Sequence, residues 1–146
     1  MSETYDALDA KILTLLQRDA TQSVDQMGEA VGLSRNAVWR RVKRLEEIGV
    51  IDRRVAVLNP DALGLGLSVF ISVKTAQHDA AWATAFLKTV RSMPEILGAY
   101  RTAGEQDYLL HARVLDVKAY DRLYQRLIAK VDLQDVSASF VMEELK

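Results

Sequence analysis

Residues 23–54, SVDQMGEAVGLSRNAVWRRVKRLEEIGVIDRR, read as two short helices across a tight turn. Ser23 can cap the first helix, and Gln26 three residues later completes capping-box spacing. Gly32 enters the left-handed conformation cheaply and Ser34 accepts a bond from a freed amide, so one helix ends and another starts. The second helix is expected from about 35 to 48, stopping at Gly49. At 100° per residue with Val38 at 0°, Val42 falls at about 40° and Leu45 at about −20°, a narrow apolar stripe facing a core. Asn36, Arg40, Lys43 and Arg44 fall between about 140° and 240°, on the opposite face. Arg can read guanine and Asn adenine in a major groove, while Lys and further Arg neutralise phosphate. Arg35 flanks the helix N-terminus, where backbone amides also favour phosphate. A basic run alone is an ordinary solvated face. On the second helix of a capped pair it makes a helix-turn-helix with a recognition helix.

Whole-chain charge hides this feature. Nineteen Lys and Arg against twenty Asp and Glu give a net charge of −1 over 146 residues. Between 35 and 54, however, seven basic residues stand against three acidic ones, whereas 55–146 hold ten basic and eleven acidic. Positive charge is concentrated where a groove requires it. A 49% hydrophobic and 27% charged composition is that of a folded, soluble chain. No apolar run is long enough to span a bilayer, and MSETYDALDAK lacks a signal peptide's basic start and apolar stretch. The absence of Cys removes disulfides, thiolate catalysis and zinc fingers, and fits a reducing cytoplasm.

Working outward, residues 6–18 form an expected first helix, with Leu8, Ile12, Leu15 and Leu16 on one face and Asp6 and Asp9 in the first turn. Residues 50–58 are β-rich, a linker that can take up a strand or small wing, and Asn59-Pro60-Asp61 signals a turn. LSVFISVKTA, ILGAYRT, DYLLHARV and VSASFVMEE read as strands. Helices are expected from Asp79 to near Pro94 and over 117–130. The order β-α-β-β-α-β is a ferredoxin-like unit with both helices on one sheet face. The expected organisation is therefore α+β: a helix-turn-helix domain over 1–50, a linker over 51–66 and a ferredoxin-like domain over 67–146. In the first strand Ser68, Phe70 and Ser72 alternate with Leu67, Val69, Ile71 and Val73; in the last, Ser137, Ser139 and Val141 alternate with Val136, Ala138, Phe140 and Met142. A helix-free face carrying Phe and Val implies burial against a second copy, and two-fold symmetry would set two recognition helices on successive half-sites.

LDAKILTLLQRDA, GLSRNAVWRRVKRLEEIGVI, NPDALGL and AGEQDYLL, in this order along nearly the full length, closely resemble the leucine-responsive and asparagine regulators, the Lrp/AsnC family of transcription factors. The resemblance implies a C-terminal domain that dimerises, assembly of dimers into tetramers or octamers, and amino-acid effectors that alter DNA binding or assembly. It implies no other cofactor. The family's effector loop corresponds to Gly104, Glu105, Gln106, Asp107 and Tyr108, with Tyr100, Arg101 and Thr102 on the preceding strand as weaker candidates. Gly permits an open backbone whose amides take a carboxylate, and Asp107 can pair an ammonium. The same residues also suit a plain strand-to-strand turn, and Arg101 an ordinary surface ion pair.

The DNA-binding set is accordingly Ser34, Arg35, Asn36, Arg40, Lys43 and Arg44, with Arg53 and Arg54 near backbone phosphate. Trp39 and Trp82, at helical spacing with apolar neighbours, read as packing, and Glu46 and Glu47 as solvated or paired with Lys43. His78 and His111 are separated and lack Cys or carboxylate companions, a poor metal site. No P-loop, dinucleotide fingerprint or nucleophile elbow is present, so no catalytic residue is assigned. The leading expectation is a cytoplasmic, amino-acid-responsive, sequence-specific transcription regulator that binds double-stranded DNA. Against it stand a ligand-independent architectural protein that wraps DNA, and a small enzyme or metabolite-binding subunit on the ferredoxin-like domain.

Overall fold

The computed structural model describes residues 5–145; residues 1–4 and 146, the outer ends of the two expected domains, lie outside the described residues. The chain divides into two compact units, with the break between Val57 and Leu58.

The first unit holds α1 (Ala7–Arg18), α2 (Val24–Val31) and α3 (Arg35–Glu47). Asp6 caps α1, its carboxylate accepting from the Leu8 and Asp9 amides, and Asp9 returns the bond to the Asp6 amide. Ser23 and Gln26 form the expected capping box on α2. The turn between α2 and α3 rests on two glycines. Gly32 has φ +72°, a region that L side chains rarely enter. At Gly28 the chain passes so close that an added Cβ would lie 2.6 Å from the Leu33 carbonyl oxygen. Ile12, Met27, Val38 and Val42 make the core of this unit, so the stripe computed for α3 does face inward. α3 ends a residue earlier than expected, with Ile48 as its cap.

The strand or wing expected within 50–58 does not form. Residues 52–59 carry no strand, and Val55, Val57 and Leu58 are exposed. β-propensity expresses fit to a pleated, half-buried surface, and no neighbouring strand offers one here.

The second unit runs β1 (Leu67–Lys74), α4 (Ala80–Arg91), β2 (Ile96–Arg101), β3 (Tyr108–Val114), α5 (Val117–Ile128) and β4 (Asp135–Phe140). Every neighbouring pair is antiparallel and the strand order is β2-β3-β1-β4, the expected βαββαβ topology. Val69, Ile71 and Val73 of β1 are buried with Leu110 and Ala112 of β3 against Trp82 and Phe86 of α4 and Leu123 and Leu127 of α5. Both helices thus lie on one face. β4 stops at Phe140 instead of continuing toward 144, because its partner β1 begins at Leu67 and the last bond is Val141 N–H to the Ser68 carbonyl. Met142 is consequently exposed. On the helix-free face, Phe70 stands 39% exposed and stacks on His111 at 4.7 Å. Among the described residues no helix is long and apolar enough to cross a membrane.

Candidate DNA-binding face and effector turn

Asn36, Arg40 and Lys43 are exposed on α3, opposite the buried Val38, Val42 and Leu45. Ser34 caps the helix by accepting from the Ala37 amide. Arg40 donates from Nε to the Asn36 carbonyl at 3.4 Å. Arg35 pairs with Asp25 at 3.2 Å, Arg53 with Asp52 at 2.7 Å and Arg54 with Glu46 at 2.7 Å, all near the surface. Exposed pairs of this kind are worth about 0–1 kcal/mol, so phosphate can compete for these cations. Glu46 thus pairs with Arg54, where it was expected to be solvated or paired with Lys43.

Arg44 behaves differently. Its Nη2 donates to Asp9 Oδ2 at 2.7 Å, and Arg41 donates to Asp9 Oδ1 at 2.8 Å and Asp6 Oδ2 at 2.7 Å. The Asp9 side chain is fully buried. Burial pushes its carboxyl up, but the Asp6 amide and the Arg41 guanidinium outweigh this and hold it below the usual carboxylate range. Sequence reasoning placed Asp9 only as a dipole-compensating acid. Its available signal was position, since Asp9, Ile12 and Leu16 follow i, i+3, i+7 and set an acid within an apolar stripe. The clamp holds the edge of α3 to α1.

The two tryptophans part company. Trp82 packs as expected, buried, stacked on Phe86 at 5.0 Å and donating from Nε1 to the Asp132 carbonyl. Trp39 does not: it is 52% exposed, with Lys43 Nζ 5.0 Å from its ring centroid. Lying about 100° from Val38, it falls outside the inward stripe.

At the β2–β3 turn, Gly104 has φ +146° and open space where a Cβ would stand. The Thr102 amide donates to the Asp107 carbonyl at 2.9 Å, and the Thr102 hydroxyl to the Gln106 carbonyl at 2.6 Å. Asp107 Oδ2 accepts from the Thr75 amide at 2.9 Å, tying the turn to the end of β1. The Tyr108 ring lies 4.6 Å from Phe86 and belongs to the core side. Arg101, Thr102, Asp107 and Tyr108 line one hollow of about 280 Å³ with His78 and Trp82. Tyr100 is not brought there. It pairs with Leu109 in register, one residue out of phase with Arg101 and Tyr108, and so faces the other side of the sheet. Gln106 Oε1 is buried and accepts no bond among the described residues.

Comparison with known proteins matches both units. Residues 6–46 fit the AsnC-type helix-turn-helix domain, and residues 68–146 the Lrp/AsnC ligand binding domain. The chain is 48% identical over 146 residues to the glutamate uptake regulatory protein of Zymomonas mobilis, covering 100% of this chain and 89% of that one. It is 46% identical over 142 residues to the DNA-binding transcriptional activator DecR of Escherichia coli, covering 97% and 93%. A transcriptional regulator of Neisseria meningitidis, solved as a complex with L-methionine, superposes with a TM-score of 0.92 at 34% identity, over 97% of this chain and 92% of that one. The capped helix pair, the basic outer face of α3 and the βαββαβ unit are thus the parts of a regulator that binds DNA, and the chain belongs to the Lrp/AsnC family of transcription regulators.

Proposed function

We propose that this regulator reads DNA through Asn36, Arg40 and Lys43 in the major groove. Ser34, Arg35, Arg53 and Arg54 serve backbone phosphate, and Arg44 divides its charge between Asp9 and the DNA. The observation that carries this is the exposed Asn36–Arg40–Lys43 face directly opposite the buried Val38–Val42–Leu45 stripe. The working division is a DNA-binding part over 1–50, a linker over 51–66 and a regulatory part over 67–146. The chain acts as a regulator and not an enzyme, needs no cofactor, and works in the cytoplasm as a dimer or larger assembly joined through the helix-free sheet face.

Its effector is an amino acid held at Gly104, Glu105, Gln106, Asp107 and Tyr108, with Arg101 and Thr102 beside them. Two observations support this: the methionine complex of the Neisseria relative, and the hollow lined by a cation, Arg101, and an anion, Asp107. Tyr100 lies across the sheet from that hollow and fits the assembly face better than the pocket. A ligand-independent, DNA-wrapping protein is the competing reading, favoured by the bonds Asp107 and Thr102 already make within the fold. A thermal-melt screen of the purified protein against the twenty amino acids separates the two. A ligand at a hundredfold over its dissociation constant stabilises by about 2.7 kcal/mol. One responding class that also shifts DNA affinity or assembly supports the effector; a flat screen with intact DNA binding favours the wrapping protein.

A further inference from the structure

We propose that Trp39 is a base-reading residue whose indole lies against the 5-methyl groups of thymine in the major groove. It thereby adds an apolar selection to the polar readout of Asn36 and Lys43. The inference rests on the groove face proposed above and deepens it.

Position comes first. Trp39 is four residues after Arg35, three after Asn36 and four before Lys43, the spacings at which helix side chains are neighbours. These four side chains form one patch. Trp39 is 52% exposed, while Val38, Val42 and Leu45 on the same helix are buried. The core stripe is therefore complete without it. The indole lines one hollow with Val24, Met27 and Lys43, and Lys43 Nζ stands over its ring, 5.0 Å from the centroid. A large, rigid aromatic with two side-chain torsions and a cation over its ring presents a fixed apolar plate at low cost in conformational entropy.

Chemistry then selects the ligand group. Major-groove base edges offer hydrogen-bond donors and acceptors and one apolar projection, the thymine methyl. An apolar plate at the edge of the groove face leaves polar edges and phosphates without partners wherever it covers them. Only a thymine methyl gains by being covered, because both surfaces leave water together. Sites carrying thymine beside the bases read by Asn36 and Lys43 are thus preferred.

The test uses the full-length protein and a duplex enriched by it from a randomised double-stranded library. Each thymine of that duplex is replaced in turn by deoxyuridine, which lacks only the 5-methyl group. At one or more positions the wild type loses about fourfold in affinity, the worth of one buried methyl-sized group, with an unchanged salt slope. Trp39→Ala binds the parent duplex more weakly and shows no further loss at those positions, while Trp39→Leu, which keeps apolar surface, retains part of the discrimination. Trp39→Leu also preserves the measurement if the alanine variant folds poorly. Indifference of the wild type to every deoxyuridine overturns the assignment. So does an undiminished penalty in Trp39→Ala, or a salt slope lowered by that variant as a lost phosphate contact lowers it. Failure of the underlying groove face is distinct: either no duplex is enriched at low salt, or Asn36→Ala, Arg40→Ala and Lys43→Ala together leave affinity unchanged.

Discussion

On α3 the candidate side chains project from a helix whose backbone hydrogen bonds are already made, whereas at the β2–β3 turn the candidate side chains make those bonds themselves. Asn36, Arg40 and Lys43 are exposed on a capped helix. Asp107 holds the Thr75 amide, and Thr102 closes the turn onto the Gln106 carbonyl. Substitution on α3 can therefore change recognition without changing the fold, while substitution at the turn changes both unless it spares the bond. Arg44 lies between these cases. It belongs to the basic face by angle and to the fold by its bond to Asp9.

The clamp gives the largest expected effect. Asp9→Ala leaves Arg41 and Arg44 facing a buried gap and should destabilise the first unit by about 3 kcal/mol, the low end for a broken buried pair because Arg44 is half-exposed. A urea titration reports it. Because the folded state holds the Asp9 carboxyl below its ordinary value, its contribution is present above that value and lost as pH falls through the folded one. Asp9→Asn should accordingly flatten the acid limb of the stability curve below about pH 4. An unchanged midpoint and acid limb would return Asp9 to a plain capping role and Arg44 to the DNA face.

On the helix surface the expected outcome is the reverse, with recognition lost and the fold kept. Arg40→Ala, if the guanidinium reads a guanine, should cost about 1–3 kcal/mol of binding and relax preference at one base pair. Arg35→Ala, as a phosphate contact, should weaken all sequences alike and reduce the log–log salt slope by about 0.9. Urea midpoints of both should stay within about 0.5 kcal/mol of the wild type. A large loss of stability in either would erase the contrast between face and turn.

How much was legible follows from the same contrast. Helical periodicity sorted Val38, Val42 and Leu45 from Asn36, Arg40 and Lys43 because it depends only on spacing within one element. Arg44 sits at the edge of the computed arc, and its partner Asp9 is 35 residues away, beyond any local pattern. Trp39 was assigned to packing from its helical spacing to apolar neighbours, although its angle already set it outside the stripe. The βαββαβ order was legible because each element carries its own period. Within the expected linker, the strand that 50–58 could take up is absent because propensity does not supply a pairing partner. Tyr100 and Arg101 were grouped with the turn by proximity in sequence, while strand alternation separates them onto opposite faces.

At the turn, a matched pair of substitutions separates fold from ligand. Asp107→Ala removes the acceptor of the Thr75 amide and should cost about 1–2 kcal/mol in a urea melt. Asp107→Asn keeps an oxygen for that amide and deletes the charge. Its melt should stay close to the wild type while the shift produced by an amino acid disappears. Persistence of that shift in Asp107→Asn would mean that Asp107 serves shape alone, as an ordinary turn residue does.

The smallest effect concerns a side chain on the helix-free face that resembles the turn in being committed to the fold. His111 Nε2 lies 2.8 Å from the Ser68 hydroxyl, its ring stacks on Phe70, and Arg113 stands two residues along β3, paired to Glu144. Burial pulls the imidazole below its ordinary value, Arg113 adds to this, and Glu144 offsets part. The folded state therefore resists a proton that the unfolded chain accepts near its ordinary pKa of about 6.5. Stability contributed by the neutral ring is complete above that value and declines as pH falls from it toward the folded one. Urea midpoints should drop between pH 7.5 and 5.5 in the wild type and drop less in His111→Gln. If the sheet face is the proposed contact between copies, the difference should also grow as protein concentration is raised, because assembly covers His111 further. A drop of equal size in both proteins at every concentration would place the pH response elsewhere and leave the helix-free face without a titrating residue at its centre.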